Sequence, residues 1–291
     1  MTAENNISDR RCALRRLAGV AGAACAGTDV FWRWGYGIGN ATCATEVTLL
    51  DARGGFWLTR RSLANAVRVR WQDFAERGPA RRGFLLPDLH DTVRRLAGLG
   101  IRPDRPTVVV GDGPDGWGEE GRIVWMLWYI GVTNAVPMSK TEWYRVGATF
   151  RPGRSDGVAA WVPESDLTLR CSVRDAPPGA VILDARSKDE YLGKSRFGET
   201  RGDHVPGSRH LAWDAFFDRE SGIYDTAALA RHLEARGVSR DSIIVCYCTG
   251  GVRSAYLTVR LRQAGLTRAA NDDGGMWAYS ATDAPLIIGD E

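Results

Sequence analysis

Short apolar runs alternate along the chain with longer segments that have helical periodicity. The runs VVV at 108–110 and IIV at 243–245 are rich in β-branched residues, which is typical of strands buried on both faces. Segments 226–237 and 254–265 carry apolar residues at the spacing of one helix face, and each segment ends at a glycine. Strands that alternate with helices predict an α/β fold with mostly parallel sheets flanked by helices.

The two halves of the chain resemble each other at a nearly constant offset. The segment VTLLDARGG at 47–55 matches AVILDARSK at 180–188. Further along, IVWMLWYIG at 123–131 matches LTVRLRQAG at 257–265. A single long internal repeat predicts two copies of one α/β domain and not a solenoid of short units.

The N-terminus resembles an export signal. The segment DRRCALR at 9–15 is similar to a twin-arginine motif, and a weakly apolar stretch leads from it to an A-x-A-type cleavage site at 24–26. We therefore predict a periplasmic or otherwise exported protein. The alternatives are an arginine-rich extension of a cytoplasmic protein, or lipid attachment at Cys25. The predicted organisation is a signal peptide at 1–26, a first domain at 45–150, a connection at 151–177 and a second domain at 178–291.

Composition and charge exclude several classes of function. The formal net charge is +3, and the basic residues do not form a tract that could follow a phosphate backbone, so nucleic-acid binding is not expected. No apolar run approaches the roughly 18 residues that would cross a bilayer as a helix. The six cysteines lack the paired spacing of metal ligands. We therefore expect no metal and no other cofactor.

The segment CTGGVRS at 248–254 has the composition of an anion-binding turn that carries a thiol. Cys248 follows an apolar run, so it is expected at the carboxyl end of a strand, where α/β sheets place their ligand sites. Gly250 and Gly251 allow successive backbone N–H groups to turn inward, and Arg253 adds a charge that does not titrate. These features favour an ionised thiol. The alternative is an ordinary buried strand cysteine followed by a glycine turn.

The distance along the chain between the thiol and the arginine indicates the size of the bound group. Cys248 and Arg253 form a C-x4-R pattern. The cysteine phosphatases use C-x5-R, because their longer loop must enclose a tetrahedral phosphoryl group. The shorter loop of this chain fits a single outer sulfur atom bonded to the cysteine.

In four segments of its second half, the sequence resembles the tandem-domain rhodaneses, a family of sulfurtransferases. The segment GDHVPGSRHLAWDAFFD at 202–218 is similar to that family's G-H-I-P-G-A motif, and LDAR at 183–186 is similar to the end of its first strand. CTGGVRS is similar to its active loop. DDGGMWAYS at 272–280 resembles its closing D-G-G-x-x-W motif, with Ala278 and Tyr279 in place of the usual Glu-Trp pair. The resemblance implies two rhodanese-like domains.

The resemblance also implies a site and a reaction. The Cys248 thiolate would take the outer sulfur of thiosulfate, release sulfite, and pass the sulfur from a persulfide to cyanide or a thiol. The residues implied to bind substrate are Arg186, Thr249, Gly250, Gly251, Val252, Arg253 and Ser254. Arg186 could instead form a structural salt bridge, and Arg253 could hold the loop to a carboxylate such as Asp184. Leu192 stands where mercaptopyruvate enzymes carry an arginine, which favours thiosulfate.

The first half departs from the family pattern where the catalytic residue belongs. By the repeat, Gly113 matches Cys248, and the segment that begins there, GPDGWGEEGR at 113–122, offers acidic side chains and no thiol. We therefore expect the first domain to be non-catalytic and to form part of the wall of the site in the second domain. In the second domain, Gly250 stands where thiosulfate enzymes often have a basic residue, which puts the efficiency of transfer in doubt.

The expected partners are a small anionic sulfur donor and a thiophilic acceptor, with a protein as a possible acceptor. Two kinds of alternative remain open. The chain could be a sulfur carrier without turnover, or an interaction module. It could also be a 3-mercaptopyruvate sulfurtransferase or a small-loop phosphatase, both of which the residues favour less.

Overall fold

The fold is described from a computed structural model. The structure describes residues 46–54, 62–146, 151–152, 157–194 and 196–289. The predicted signal peptide lies outside these ranges, so export remains a prediction. Within the described ranges, no helix combines the length and the apolar character needed to cross a membrane.

The first half forms a parallel sheet with helices packed on it. Its strands are β1 (Glu46–Asp51), β2 (Val67–Arg68), β3 (Thr107–Gly111), β4 (Ala135–Ser139) and β5 (Arg151–Pro152). The spatial order is β2-β1-β3-β4, with β5 also beside β1, and all pairings are parallel. The helices are α1 (Leu89–Gly98), α2 (Glu119–Tyr129) and α3 (Lys140–Val146). The β-branched core of β3 is fully buried, as its apolar run predicts.

The second half repeats this arrangement. Its strands are β6 (Val181–Asp184), β7 (Arg209–His210), β8 (Ile244–Tyr247) and β9 (Ala269–Asn271), in the spatial order β7-β6-β8-β9. Its helices are α4 (Lys188–Tyr191), α5 (Thr226–Glu234), α6 (Arg253–Gln263) and α7 (Gly275–Tyr279). All pairings are again parallel. The α/β fold class is therefore confirmed, and the two matching sheets are consistent with two rhodanese-like domains.

The two halves pack through α2 and α6. A Cβ atom on Gly121 of α2 would lie 2.5 Å from the Cα atom of Tyr256, so the two helix backbones touch at a position where only glycine fits. Ala255 and Val259 of α6 belong to the same apolar core as Trp125 of α2. The two helices that follow the central strands therefore share one hydrophobic interface.

The strand register corrects the predicted match between Gly113 and Cys248. Asp51 pairs with Val110 in the first sheet, and Asp184 pairs with Tyr247 in the second. The residue that follows Val110, Gly111, is therefore the counterpart of Cys248. The predicted match assumed a nearly constant offset between the two halves. It was wrong because the segment before α2 is longer than the corresponding segment before α6, so the offset changes there.

A buried carboxyl group fills the space beside Gly111. A Cβ atom on Gly111 would lie 1.9 Å from Oε2 of Glu120, so a cysteine side chain does not fit there. Both carboxyl oxygens of Glu120 are buried and have no hydrogen-bond partner in the described part of the chain. Burial raises the pKa of Glu120 to about 8, and the nearby charge of Glu119 adds to this. The group is therefore mostly protonated at neutral pH.

Glu120→Gln should remove a loss of stability that the wild type develops as the pH rises from about 4.5 to about 8. A folded-state pKa raised from 4.5 to about 8 means that stability is full below pH 4.5 and falls as the pH rises through about 8. The gain of the variant over the wild type should therefore grow by roughly 3 kcal/mol between pH 5 and pH 8.5, measured by urea unfolding. Glu234→Gln, at the exposed end of α5, is the control. An equal pH dependence in Glu120→Gln and the wild type would contradict this assignment.

Candidate active site

Cys248 comes directly after β8, at the carboxyl end of the second sheet. The loop that follows it packs backbone against backbone on the turn before α7. Gly251 has a φ of +74°, and a Cβ atom there would lie 2.4 Å from the Cα atom of Asp273. A Cβ atom on Gly275 would lie 2.3 Å from the carbonyl oxygen of Cys248. Both positions therefore require glycine, and the two glycine motifs of the sequence are in direct contact.

The backbone N–H groups of residues 249–254 are available to a ligand. Within the described ranges, none of them donates to a protein oxygen. The first N–H group that bonds back at the start of α6 is that of Tyr256, which donates to the carbonyl of Val252 over 3.2 Å. The hydroxyl of Ser254 donates to Sγ of Cys248 over 3.4 Å. Backbone N–H groups without protein acceptors at the start of a helix form the kind of loop that can bind an anion.

A cavity of about 420 Å³ opens onto this loop. The first half contributes Trp71, Gln72, Arg82, Trp117 and Glu119 to its wall. The second half contributes Phe197, Cys248, Thr249, Gly250, Val252, Arg253 and Trp277. Cys248 is only 1% exposed, so the cavity is its route to small molecules. The site is therefore formed by both halves of the chain.

Arg253 is held by a carboxylate that the sequence analysis did not identify. Its two terminal nitrogens each donate to one oxygen of Glu190 over 2.6 Å, and one of them also donates to the hydroxyl of Thr249 over 2.8 Å. Burial alone would raise the pKa of Glu190, but hydrogen bonds from Arg253 and its charge outweigh burial and lower that pKa to about 2. The predicted alternative partner, Asp184, is wrong because that carboxylate is engaged elsewhere.

Arg186 is the residue that engages Asp184. Its Nη2 atom lies 2.6 Å from Oδ2 of Asp184 and donates to the carbonyl of Asp203 over 2.8 Å. Arg186 is 1% exposed and does not line the cavity. Arg186 therefore forms the structural salt bridge that was the predicted alternative, and its assignment to substrate binding remains a prediction.

Arg122, in the first turn of α2, reaches the catalytic loop from the first half. Its terminal nitrogens donate to the carbonyls of Gly251 and Gly83 over 3.0 Å and 2.6 Å. Burial lowers the pKa of Arg122 to about 10, while the charges of Asp273 and Cys248 raise it. Sequence reasoning missed this residue, and the available signal was its place at the start of the helix that matches α6.

The remaining predicted loop residues differ in what they face. Thr249, Gly250, Val252 and Arg253 line the cavity together with Cys248. Gly251 does not line it, and its carbonyl accepts hydrogen bonds from Arg122 and from Asn271. Ser254 is fully buried and contacts the sulfur through its hydroxyl. Their assigned roles in substrate binding remain predictions. Within the described residues, no group of three His, Cys, Asp or Glu side chains could hold a metal.

Comparison with known proteins finds similarity to rhodanese-like domains and to sulfurtransferases. Residues 173–282 match the model of the rhodanese-like domain. The chain is 26% identical over 231 residues to a probable 3-mercaptopyruvate sulfurtransferase of Pseudomonas aeruginosa, covering 73% of this chain and 79% of that protein. It is 29% identical over 200 residues to a thiosulfate sulfurtransferase of Azotobacter vinelandii, covering 65% and 72%. The second half of the chain therefore contains a rhodanese-like domain.

Two further similarities are relevant to the function and the fold. The chain is 23% identical over 256 residues to the sulfur carrier protein TtuD of Thermus thermophilus, covering 79% of this chain and 86% of that protein. The crystal structure of Tum1 from Saccharomyces cerevisiae superposes with a TM-score of 0.67 at 16% identity, covering 84% of this chain and 92% of that one. The second similarity establishes the fold over both halves.

Glu190→Gln should destabilise the protein by about 3 kcal/mol, because it leaves the buried charge of Arg253 without its carboxylate partner. The matched control is Asp189→Asn in the same helix, where the ion pair with Lys194 is 4.0 Å long and both side chains are mostly exposed. The control should cost less than about 0.5 kcal/mol. Chemical unfolding at neutral pH measures both.

The effect of Glu190→Gln should also depend on acidity. The stabilisation by a carboxylate with a lowered pKa is present above pH 4.5 and is lost as the pH falls toward about 2. The difference between the variant and the wild type should therefore shrink below pH 4.5. Equal losses in Glu190→Gln and Asp189→Asn at neutral pH would show that the Arg253 pair does not hold the loop.

Proposed function

We propose that this chain is a sulfurtransferase whose Cys248 carries sulfur as a persulfide. The observation that carries the proposal is that Cys248 lines the cavity and precedes a loop whose N–H groups at 249–254 have no acceptor among the described residues. Such a loop stabilises an anionic sulfur through donors that are already in place. The names of the curated relatives support the same chemistry.

In the proposed first step, the thiolate of Cys248 attacks the outer sulfur of thiosulfate. The bond between the two sulfur atoms of thiosulfate breaks, sulfite leaves with the electron pair, and a persulfide anion remains on Cys248. In the second step, cyanide or a thiolate attacks the outer sulfur of the persulfide, and the Cys248 thiolate is released. This is covalent catalysis with two half-reactions.

Thiosulfate is the donor that we propose. Thiosulfate is a small inorganic anion, and the short loop between Cys248 and Arg253 encloses only a small group. Leu192, directly after α4, supplies no positive charge for the carboxylate of 3-mercaptopyruvate. The relatives include proteins named for each of the two donors, so the choice depends on these residues.

The second candidate function is a sulfur carrier that loads but does not turn over with small acceptors. The similarity to the carrier TtuD favours it. The two functions share the Cys248 persulfide and differ in its discharge. Phosphatase activity is the weakest alternative. Hydrolysis of an aryl phosphate by the wild type, abolished in Cys248→Ser, would support it.

Incubation with thiosulfate should add the mass of one sulfur atom to the protein, detected by intact mass spectrometry. Cys248→Ala should remain unmodified. Cys171→Ala is the matched control, since Cys171 is partly exposed and does not line the cavity, and it should load like the wild type. Loading of Cys248→Ala, or no loading of the wild type, would refute the persulfide mechanism.

Addition of cyanide to the loaded protein separates the enzyme from the carrier. An enzyme should form thiocyanate over many turnovers when thiosulfate is in excess, and colorimetric detection of thiocyanate measures this. A carrier should release at most one equivalent. Replacement of thiosulfate by 3-mercaptopyruvate in the same assay tests the donor, and a higher kcat/KM with mercaptopyruvate would overturn our choice.

A further inference from the structure

Arg82 lies in the wall of the catalytic cavity although it belongs to the first half of the chain. It follows a short 3-10 turn at Pro79–Arg81, and its side chain is exposed. Its guanidinium carbon lies 3.7 Å from the ring centroid of Trp277, which is a stacking distance. Trp277 is in turn fixed by donating from Nε1 to the carbonyl of Phe197 over 2.9 Å. The plane of the guanidinium is therefore held by an aromatic face.

The backbone next to Arg82 is attached to the catalytic loop. Gly83 has a φ of +92°, and a Cβ atom there would lie 2.9 Å from the carbonyl oxygen of Gly250. The carbonyl of Gly83 accepts a hydrogen bond from Arg122, which also bonds to Gly251. Arg82 is thus positioned by the same contacts that hold the loop of Cys248.

The two arginines of the cavity wall differ in whether their charge is neutralised. Arg253 donates both terminal nitrogens to Glu190. Arg82 forms no hydrogen bond and no ion pair with any residue in the described part of the chain, and its guanidinium stacks on Trp277. Stacking occupies the face of a guanidinium and leaves the N–H groups at its edge free for an anion.

One acidic side chain, that of Glu119, lines the cavity together with Arg82. Glu119 accepts a hydrogen bond from the backbone N–H of Trp117 over 2.9 Å. Burial raises the pKa of Glu119, and the charge of Asp112 adds to the increase. This shift is toward the protonated form, so it lessens the repulsion of an anionic substrate.

We propose that Arg82 binds the anionic end of the sulfur donor and so makes the first half of the chain responsible for the selection of anionic donors. This inference rests on the proposed function, and it assigns the anionic end of the donor to an arginine that lines the cavity, which Arg186 does not. The donor's leaving group, a sulfite dianion in the case of thiosulfate, carries its charge away from the reacting sulfur. A cation in the cavity wall, outside the loop of N–H groups at 249–254, can bind the sulfite end of thiosulfate.

Steady-state kinetics with thiosulfate test the proposal through Arg82→Gln and Arg82→Lys. Loss of a charge-assisted hydrogen bond should raise KM for thiosulfate by about 10-fold in Arg82→Gln with little change in kcat. Arg82→Lys should retain part of the affinity, because it keeps the charge but not the planar edge. Arg81→Gln is the matched control, since Arg81 pairs with Glu76 over 2.6 Å and does not line the cavity.

Alkylation of Cys248 gives a readout that does not depend on sulfur transfer. Iodoacetate is an anion and iodoacetamide is neutral, and peptide mass spectrometry follows the reaction of each reagent at Cys248. The ratio of the iodoacetate rate to the iodoacetamide rate should fall by about 5-fold or more in Arg82→Gln, because only the charged reagent loses an attraction. It should stay unchanged in Arg81→Gln.

The outcomes separate this inference from the proposed function. If the wild type shows no turnover with thiosulfate, the proposed function fails, while the alkylation ratio still decides the role of Arg82. An unchanged ratio in Arg82→Gln overturns the inference. Equal slowing of both reagents also overturns it, since it would mean that Arg82 acts by supporting Trp277 and not by attracting anions.

Discussion

The whole site depends on the direct contact between two glycine-containing segments, the loop after Cys248 and the turn before α7. No side chain separates their backbones: Cβ atoms on Gly251 and Gly275 would lie within 2.4 Å of backbone atoms across the contact. Real Cβ atoms do not approach other atoms so closely, and a packed interior yields little to make room. This contact fixes the path of the loop and leaves its N–H groups free to face a ligand.

The first half of the chain supports this loop, and it has a glycine at the position that matches Cys248. The strand register places Gly111 opposite Cys248, and the carboxyl group of Glu120 occupies the adjacent space. Helix α2 packs closely against α6, and Arg122 of α2 donates a hydrogen bond to the carbonyl of Gly251. The first half therefore acts on the site through the cavity wall and through a hydrogen bond to the loop, which is consistent with the predicted non-catalytic domain.

Much of the fold could be predicted from the sequence, because buried parallel strands and amphipathic helices leave local patterns. The position of Cys248 at the end of a strand followed from the same patterns. The partner of Arg253 could not be predicted, since Glu190 comes from a short helix whose distance from the loop depends on the sheet order β7-β6-β8-β9. The roles of Arg122 and Arg82 depend on how the two halves pack, and no local pattern encodes that packing. The match of Gly113 was wrong because a loop of different length shifts any count made through it.

The most direct test of the account is a crystal structure of the protein after exposure to thiosulfate. We predict continuous density for one additional sulfur atom bonded to Sγ of Cys248, with several N–H groups of residues 249–254 within hydrogen-bonding distance of it. An unmodified Cys248 under conditions in which thiosulfate is consumed would contradict the account. So would an added sulfur that points away from the loop, with those N–H groups directed elsewhere.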